Sequence, residues 1–319
     1  MTCNAEGHRR ECASISGDVP AALLLAFLAV QAFLACASVA RGDEAQTGRA
    51  PGVFVYSNKS IEEFVKAQGF TCGKDTRIRL VTRRNGDGTR LQIWLNFLAI
   101  GAPQTVLVVS SRDSVQEVTG PAGQYVLGMN DKNEFAVRVD PDVDEYVFGN
   151  GMRCKRQSGG QSHSGLDPAG RYFFFGTPEG VEVVDVDKPT ETLIRSKDYV
   201  KSIYSANGVI YLFTYPANGD SNENQYPIVL ETYRKSGSTF ELQEKHRIPR
   251  PSKWDSVVEI EDFDPESGRV LLRGYVDMPF SFLTARYLYN LKTEKTTRLG
   301  GLVGHAFFLK RDILEAAQK

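Results

Sequence analysis

From Thr76 to about Phe308 the chain is a succession of short apolar runs, rich in Val, Ile, Tyr and Phe, each closed by Gly, Pro, Asn or Asp. Alternating runs of this kind between turn residues predict β-strands. The clearest are Arg77–Thr82, Leu91–Leu98, Thr105–Ser110, Gln124–Met129, Glu134–Val139, Tyr172–Phe175, Val181–Asp185, Val200–Tyr204, Val209–Tyr215, Ile228–Arg234, Phe240–His246, Val257–Asp262, Val270–Val276 and Thr284–Asn290. No helical pattern of ten or more residues lies between them. That argues against a parallel sheet, whose crossovers need helices. Ahead of this region Val53-Phe54-Val55-Tyr56 predicts one more strand. Ser60-Ile61-Glu62-Glu63 then has the spacing of a capping box, with Ile61, Phe64 and Val65 at helical spacing and Gly69 able to close a short helix. Arg311–Gln318 predicts a last helical turn or two.

One unit recurs. Asp167-Pro168-Ala169-Gly170-Arg171 precedes the apolar run Tyr172-Phe173-Phe174-Phe175, and Asp264-Pro265-Glu266-Ser267-Gly268-Arg269 precedes Val270-Leu271-Leu272. Each run is followed by a second strand with a polar turn at its end, Val183–Asp187 and Tyr287–Thr293. A turn–strand–turn–strand unit cannot bury its own apolar face and has to stack on a neighbour. Turn glycines ahead of apolar runs also occur at Gly88, Gly123 and Gly208. With Gly170 and Gly268 they are 35, 47, 38 and 60 residues apart, about 45 on average. That is the period of a four-stranded propeller blade. The longest gap contains the polar stretch 216–225, which reads as a loop inserted between strands.

Leu166–Phe173 together with Gly180-Val181-Glu182-Val183-Val184-Asp185 resembles the blade signature of WD40-like and YVTN-like β-propellers, and Phe263–Gly274 with Leu288–Thr293 matches it more loosely. The resemblance is to propellers generally, because Trp254-Asp255 precedes a strand instead of ending one. It implies an all-β, propeller-like array of five or six four-stranded antiparallel blades with a short N-terminal helix. A β-sandwich pair is the alternative. The motif specifies blade geometry and carries no activity.

The first residues differ from the rest. Ala21–Ala40 is apolar apart from Gln31 and Ser38, Arg9 and Arg10 lie upstream, and Ser38-Val39-Ala40 offers small residues to a signal peptidase. Residues 1–40 are therefore expected to be a signal peptide or a membrane anchor, with a lipoprotein signal ending at Cys36 as a third reading. All three place the chain outside the cytoplasm: periplasmic, extracellular or at the cell surface. Residues 41–51 form a polar linker, 52–310 the propeller-like domain and 311–319 a tail. Beyond the leader only Cys72 and Cys154 remain, and in an oxidising compartment they are expected to pair. Closing so long a loop would contribute roughly 4 kcal/mol.

Charge and motifs narrow the chemistry. The formal net charge is −1 and basic residues are scattered, so nothing favours nucleic acid or an anionic membrane surface; membrane contact is expected only through an anchor or lipid. Asp140, Asp142 and Asp144 stand at the alternating positions of a calcium loop, making calcium the one cofactor candidate, although Glu145 replaces the expected glycine and Pro141 stiffens the turn. His163, Asn218 and Asp220 sit in polar loops and are candidate binding residues. His163, His246 and His305 show no metal-binding spacing. No phosphate-binding loop, dinucleotide fingerprint or nucleophile elbow is present. Glu259 and Glu261 alternate with Val258 and Ile260 and read as an exposed strand face. The aromatics Tyr172–Phe175, Phe307 and Phe308 read as filling between blades. The expectation is an exported, non-enzymatic binding or scaffold protein whose loops meet a protein or small ligand. An enzyme with its site at the channel mouth is the alternative.

Overall fold

The computed structural model describes residues 52–72, 78–85, 88–95, 104–111, 113–121, 125–130, 132–140, 145–155, 164–215, 228–251, 255–276, 284–299, 305–309 and 313–314. Five sheets of four antiparallel strands follow one another along the chain, each in sequence order. Blade 1 is β2 (Ile78–Asn85), β3 (Gly88–Leu95), β4 (Thr105–Ser111) and β5 (Ser114–Thr119). Blade 2 is β6 (Tyr125–Met129), β7 (Phe135–Asp140), β8 (Glu145–Val147) and β9 (Arg153–Lys155). Blade 3 is β10 (Ser164–Leu166), β11 (Tyr172–Thr177), β12 (Gly180–Asp185) and β13 (Lys188–Ser196). Blade 4 is β14 (Tyr199–Ala206), β15 (Val209–Tyr215), β16 (Ile228–Ser236) and β17 (Thr239–Ile248), and blade 5 is β18 (Asp255–Asp264), β19 (Arg269–Val276), β20 (Thr284–Asn290) and β21 (Lys295–Leu299). The fold is a five-bladed β-propeller.

Period-2 geometry builds the ring. In β11, Phe173 and Phe175 turn toward Tyr146 and Phe148 of blade 2, while Tyr172 and Phe174 turn toward Val200, Ile203 and Ile210 of blade 4. Aromatic rings fill these seams, with Tyr146 and Phe173 centroids 4.9 Å apart and Phe213 set edge-on to Phe263 at 5.3 Å across blades 4 and 5. Trp94, Val106 and Val108 meet Met129 between blades 1 and 2.

A two-stranded sheet closes the ring between blades 5 and 1. The strand β1 (Val53–Tyr56) pairs antiparallel with β22 (His305–Phe308), Val53 opposite Phe308 and Tyr56 opposite His305. One face of the pair carries Val53, Val55, Ala306 and Phe308 against Leu271, Leu288 and Leu299 of blade 5. The other carries Phe54, Tyr56 and Phe307, which join Leu91, Ile93, Leu95 and Leu107 of blade 1. The helix α1 (Asn58–Ala67) adds Ile61, Phe64 and Val65 to that second cluster. Asp262, 1% exposed, fastens the closure. Its Oδ1 accepts from Thr82 Oγ1 of blade 1 at 3.1 Å, and its Oδ2 accepts from the Phe308 amide at 2.8 Å.

The N-cap of α1 is Ser57, not Ser60: Ser57 Oγ accepts from the Ser60 amide at 3.0 Å. Three residues of helix therefore precede the expected start. Cys72 and Cys154 are not joined to each other, against the expected disulfide. Each belongs to a different apolar cluster, Cys72 beside α1 and blade 1, Cys154 between blades 2 and 3, where its Sγ donates to Pro189 O at 3.4 Å.

The Asp-Pro turns connect the first and second strands of blades 3 and 5, and their charged residues bond within the turn, with Asp167 Oδ2 also accepting from Ser205 Oγ of blade 4. Asp167 Oδ1 accepts from the amides of Arg171 and Tyr172 at 2.6 and 2.8 Å, and Arg171 pairs with Asp185 at 3.2 Å. Gly170 adopts φ +74° and packs so closely that a Cβ there would fall 2.3 Å from Asn130 Cβ of blade 2. Gly88, Gly208 and Gly268 occupy the same connection in their blades. Gly123 does not, because it falls between blades 1 and 2. The corresponding turn of blade 2 uses Asn133, at φ 65°.

Candidate ligand-binding site at the mouth of the ring

Strand direction gives the ring two unlike ends. The innermost strands β2, β6, β10, β14 and β18, and β22 beside them, all begin at one end, called here the mouth. Connections between first and second, and third and fourth, strands emerge at the opposite end and are short turns such as 207–208, 237–238 and 265–268. The second-to-third and blade-to-blade connections belong to the mouth. The described ones include the short connections 178–179 and 197–198 in and after blade 3.

The inner strands carry polar and aromatic residues from several blades toward the mouth. Arg79 comes from β2, Tyr125 from β6, Tyr199 and Lys201 from β14 and His305 from β22, with Glu259 and Glu261 further along, in the middle of β18. Tyr125 and Tyr199 are each 47% exposed. Arg79 keeps solvent access, yet desolvation holds its guanidinium below the usual range, with Tyr125 acting in the opposite sense.

Two β-bulges present charges here. Val200 pairs with Thr214 and Ser202 with Phe213, which leaves Lys201 as an extra residue. Ile260 pairs with Leu272 and Asp262 with Leu271, so Glu261 is extra in the same way. Bulges re-aim side chains out of the alternating pattern. Glu261 and Asp262 turn toward the seam that holds the terminal strand pair, so Glu261, expected on an exposed face, is buried, while the Glu259 side chain stays 32% exposed.

Their partners come from the next two strands. Glu261 receives a two-pronged contact from Arg286 of β20, with Nε to Oε2 at 2.9 Å and Nη2 to Oε1 at 3.0 Å. The Ala306 amide also bonds to Glu261. Arg273 of β19 contacts Glu259, to which the Tyr275 hydroxyl donates at 3.2 Å, and its Nη1 lies 3.8 Å from Glu261 Oε1. Burial pushes the Glu261 carboxyl up, against the pull of Arg286 and Arg273. Burial acts on Glu259 in the same direction, but Arg273, Lys201 and Tyr275 outweigh it and the net shift is down.

His305 stacks on Phe307 with 9° between ring planes. Burial, then the charges of Arg286 and Arg273, lower its pKa from 6.5 to about 4. A folded pKa below the unfolded one means that the unfolded chain takes up the proton first as pH falls. Stability from this group is therefore complete above pH 6.5 and is lost between 6.5 and about 4. Between pH 7 and pH 5 the loss should be about 2 kcal/mol. Urea unfolding of wild type and His305→Gln at the two pH values checks this: the variant should lose markedly less stability on acidification.

The other sequence candidates are scattered. His246 lies on the outermost strand of blade 4, where its Nε2 is 2.9 Å from the Tyr289 hydroxyl of blade 5. Asp142, Asp144, His163, Asn218 and Asp220 lie outside the described residues, as do the side chain of Asp140 and the candidate leader 1–40. Among the described residues no three His, Cys, Asp or Glu side chains are grouped to hold a metal ion. Arg273, Arg286, Lys201, Tyr125 and Tyr199 were not marked by any sequence motif. The one trace of the cluster was the run of carboxylates from Glu259 to Asp264.

No protein-family model matches the chain, and no curated protein matches it. Solved structures do. The β-propeller domain of the Trilobed protease from Pyrococcus furiosus, described as having an open velcro topology, is 12% identical with a TM-score of 0.37 over 70% of this chain and 71% of its own. A protein from Lactobacillus plantarum is 14% identical with a TM-score of 0.35, over 75% of this chain and 86% of its own. A eukaryotic initiation factor is 12% identical with a TM-score of 0.36, over 72% of this chain and 57% of its own. With TM-scores this low, none of the three bears on what this chain does. The five-bladed ring stands on its own strand order and register.

Proposed function

We propose that this protein is an exported, non-enzymatic binding protein that holds a small ligand at the mouth of its propeller. The observation that carries the reading is the gathering of Arg79, Tyr125, Tyr199 and Lys201 toward one end of the ring, with the blade-5 charges beside them. Exposed aromatic faces beside fixed charges are what a binding site needs: apolar contact area and a few polar groups that set orientation. Binding is favoured over catalysis by how the charges are used. Glu261 is occupied by Arg286 and the Ala306 amide, and a general base has to reach the substrate's proton. Export rests on the apolar segment 21–40 with its small-residue site at Ser38-Val39-Ala40.

The test is a thermal-shift screen of wild type against a small-metabolite library, repeated with Tyr125→Ala/Tyr199→Ala. Compounds that stabilise wild type should lose at least tenfold in affinity with the double variant. Equal shifts in both proteins would rule the mouth out as the binding site.

A further inference from the structure

The blade-5 cluster has guanidinium hydrogens left over. Arg286 is 1% exposed and spends Nε and Nη2 on Glu261, while its Nη1 has no hydrogen-bond partner among the described residues. Arg273 spends Nη2 on Glu259 and stands 5.3 Å over the Tyr275 ring, and its buried Nε is likewise without a partner among them. A buried donor left unpaired costs about 1–3 kcal/mol, more when charged, so two in one cluster ask for an acceptor. Register brings the two donors together. Arg273 and Arg286 stand directly opposite each other on β19 and β20, so the two spare donors belong to neighbouring side chains, while Lys201, Arg273 and Arg286 are balanced in number by Glu259, Glu261 and Asp262. The neighbouring His305 adds no charge, since it stays neutral near pH 7.

We propose that Arg286 and Arg273 form a binding site for one carboxylate group, so that the ligand held at the mouth is a small carboxylic acid. This rests on reading the mouth as the ligand-binding end. A carboxylate supplies what is missing, acceptor lone pairs for both spare guanidinium hydrogens. Guanidinium groups suit this task because their planar forks match carboxylate geometry and stay charged at every physiological pH. A dianion such as phosphate costs more to desolvate at so buried a site.

The test uses formate as the minimal probe and needs no library ligand, so it succeeds or fails separately from the screen above. The thermal midpoint is followed while formate replaces methanesulfonate at constant ionic strength, with inorganic phosphate as a second arm. The expected result is a saturable rise with formate, a weaker or absent one with phosphate, and loss of the formate response in Arg273→Gln. Should Arg273→Gln fail to fold, the double variant Glu261→Leu/Arg286→Met replaces the buried ion pair with an apolar one and is expected to fold without responding to formate. Chemical shifts of the Arg286 and Arg273 guanidinium nitrogens should move with the same saturation in wild type. Flat midpoints in wild type, a stronger response to phosphate than to formate, or an undiminished formate response in the variants would each overturn the proposal.

Discussion

Asp262→Ala should lower stability by about 3 kcal/mol or more and the thermal midpoint by roughly 10 °C. The side chain is buried and its oxygens have separate duties. Oδ1 accepts from Thr82 Oγ1 and from the Phe263 amide, and Oδ2 accepts from the Phe308 amide. Truncation strands a buried backbone N–H in β22 and a hydroxyl in β2. It also unlinks three parts of the ring that are far apart in sequence: blade 1, blade 5 and the terminal strand pair. Asp262→Asn should recover little, because an amide nitrogen at the Oδ2 position would face the Phe308 N–H donor with another donor. Calorimetry gives the midpoint, and hydrogen exchange gives the location. Protection should fall first at Phe308 and its partner Val53, and last in blade 3. A uniform loss over all blades would contradict the role of Asp262 as a closure residue.

The second large effect is expected at Arg286. Arg286→Met removes the partner of a buried carboxylate and should cost about 3–5 kcal/mol, because Glu261 is left charged and unpaired. The double variant Glu261→Leu/Arg286→Met should return to within about 1 kcal/mol of wild type, since exchanging a whole buried ion pair for apolar residues is often neutral or stabilising. A double-mutant cycle by urea unfolding measures the coupling. Additive losses would mean that the two side chains act independently, contrary to their two-pronged contact.

The blade plan was legible in the chain because the second and third strands of each blade are buried on both faces. Tyr172–Phe175, Val209–Tyr215 and Val270–Leu272 are dense apolar runs, and their opening turns repeat. Fourth strands were harder to read. In β5, Ser114–Thr119, only Val115 and Val118 are apolar, and β13 carries Lys188, Glu191 and Arg195, because an outer strand is largely solvated. The strands β9 and β10, of three residues each, are too short to establish a period. Gly123 misled the spacing because a blade-to-blade glycine looks the same in sequence as a turn glycine. The candidate site was hidden for a different reason. Alternation sends Glu259 and Glu261 to solvent, but a bulge shifts the pattern at Glu261, and the arginines that make burial tolerable lie one and two strands further on. A pairing of Glu261 with Arg286 leaves no local mark in the chain.

The terminal pair also has a mechanical meaning. Val53 lies opposite Phe308, and the Leu309 amide donates to Gly52 O at 3.0 Å, so the ring's first and last residues are side by side. A pull on the two ends of the chain would not shear β1 along β22, with all their hydrogen bonds loaded together. After freeing Ile313 and Leu314 from the α1 cluster, it would peel the pair like a zipper, one bond at a time, from Val53 toward Tyr56. The propeller should therefore yield at low force by opening its seam, with its five blades still intact.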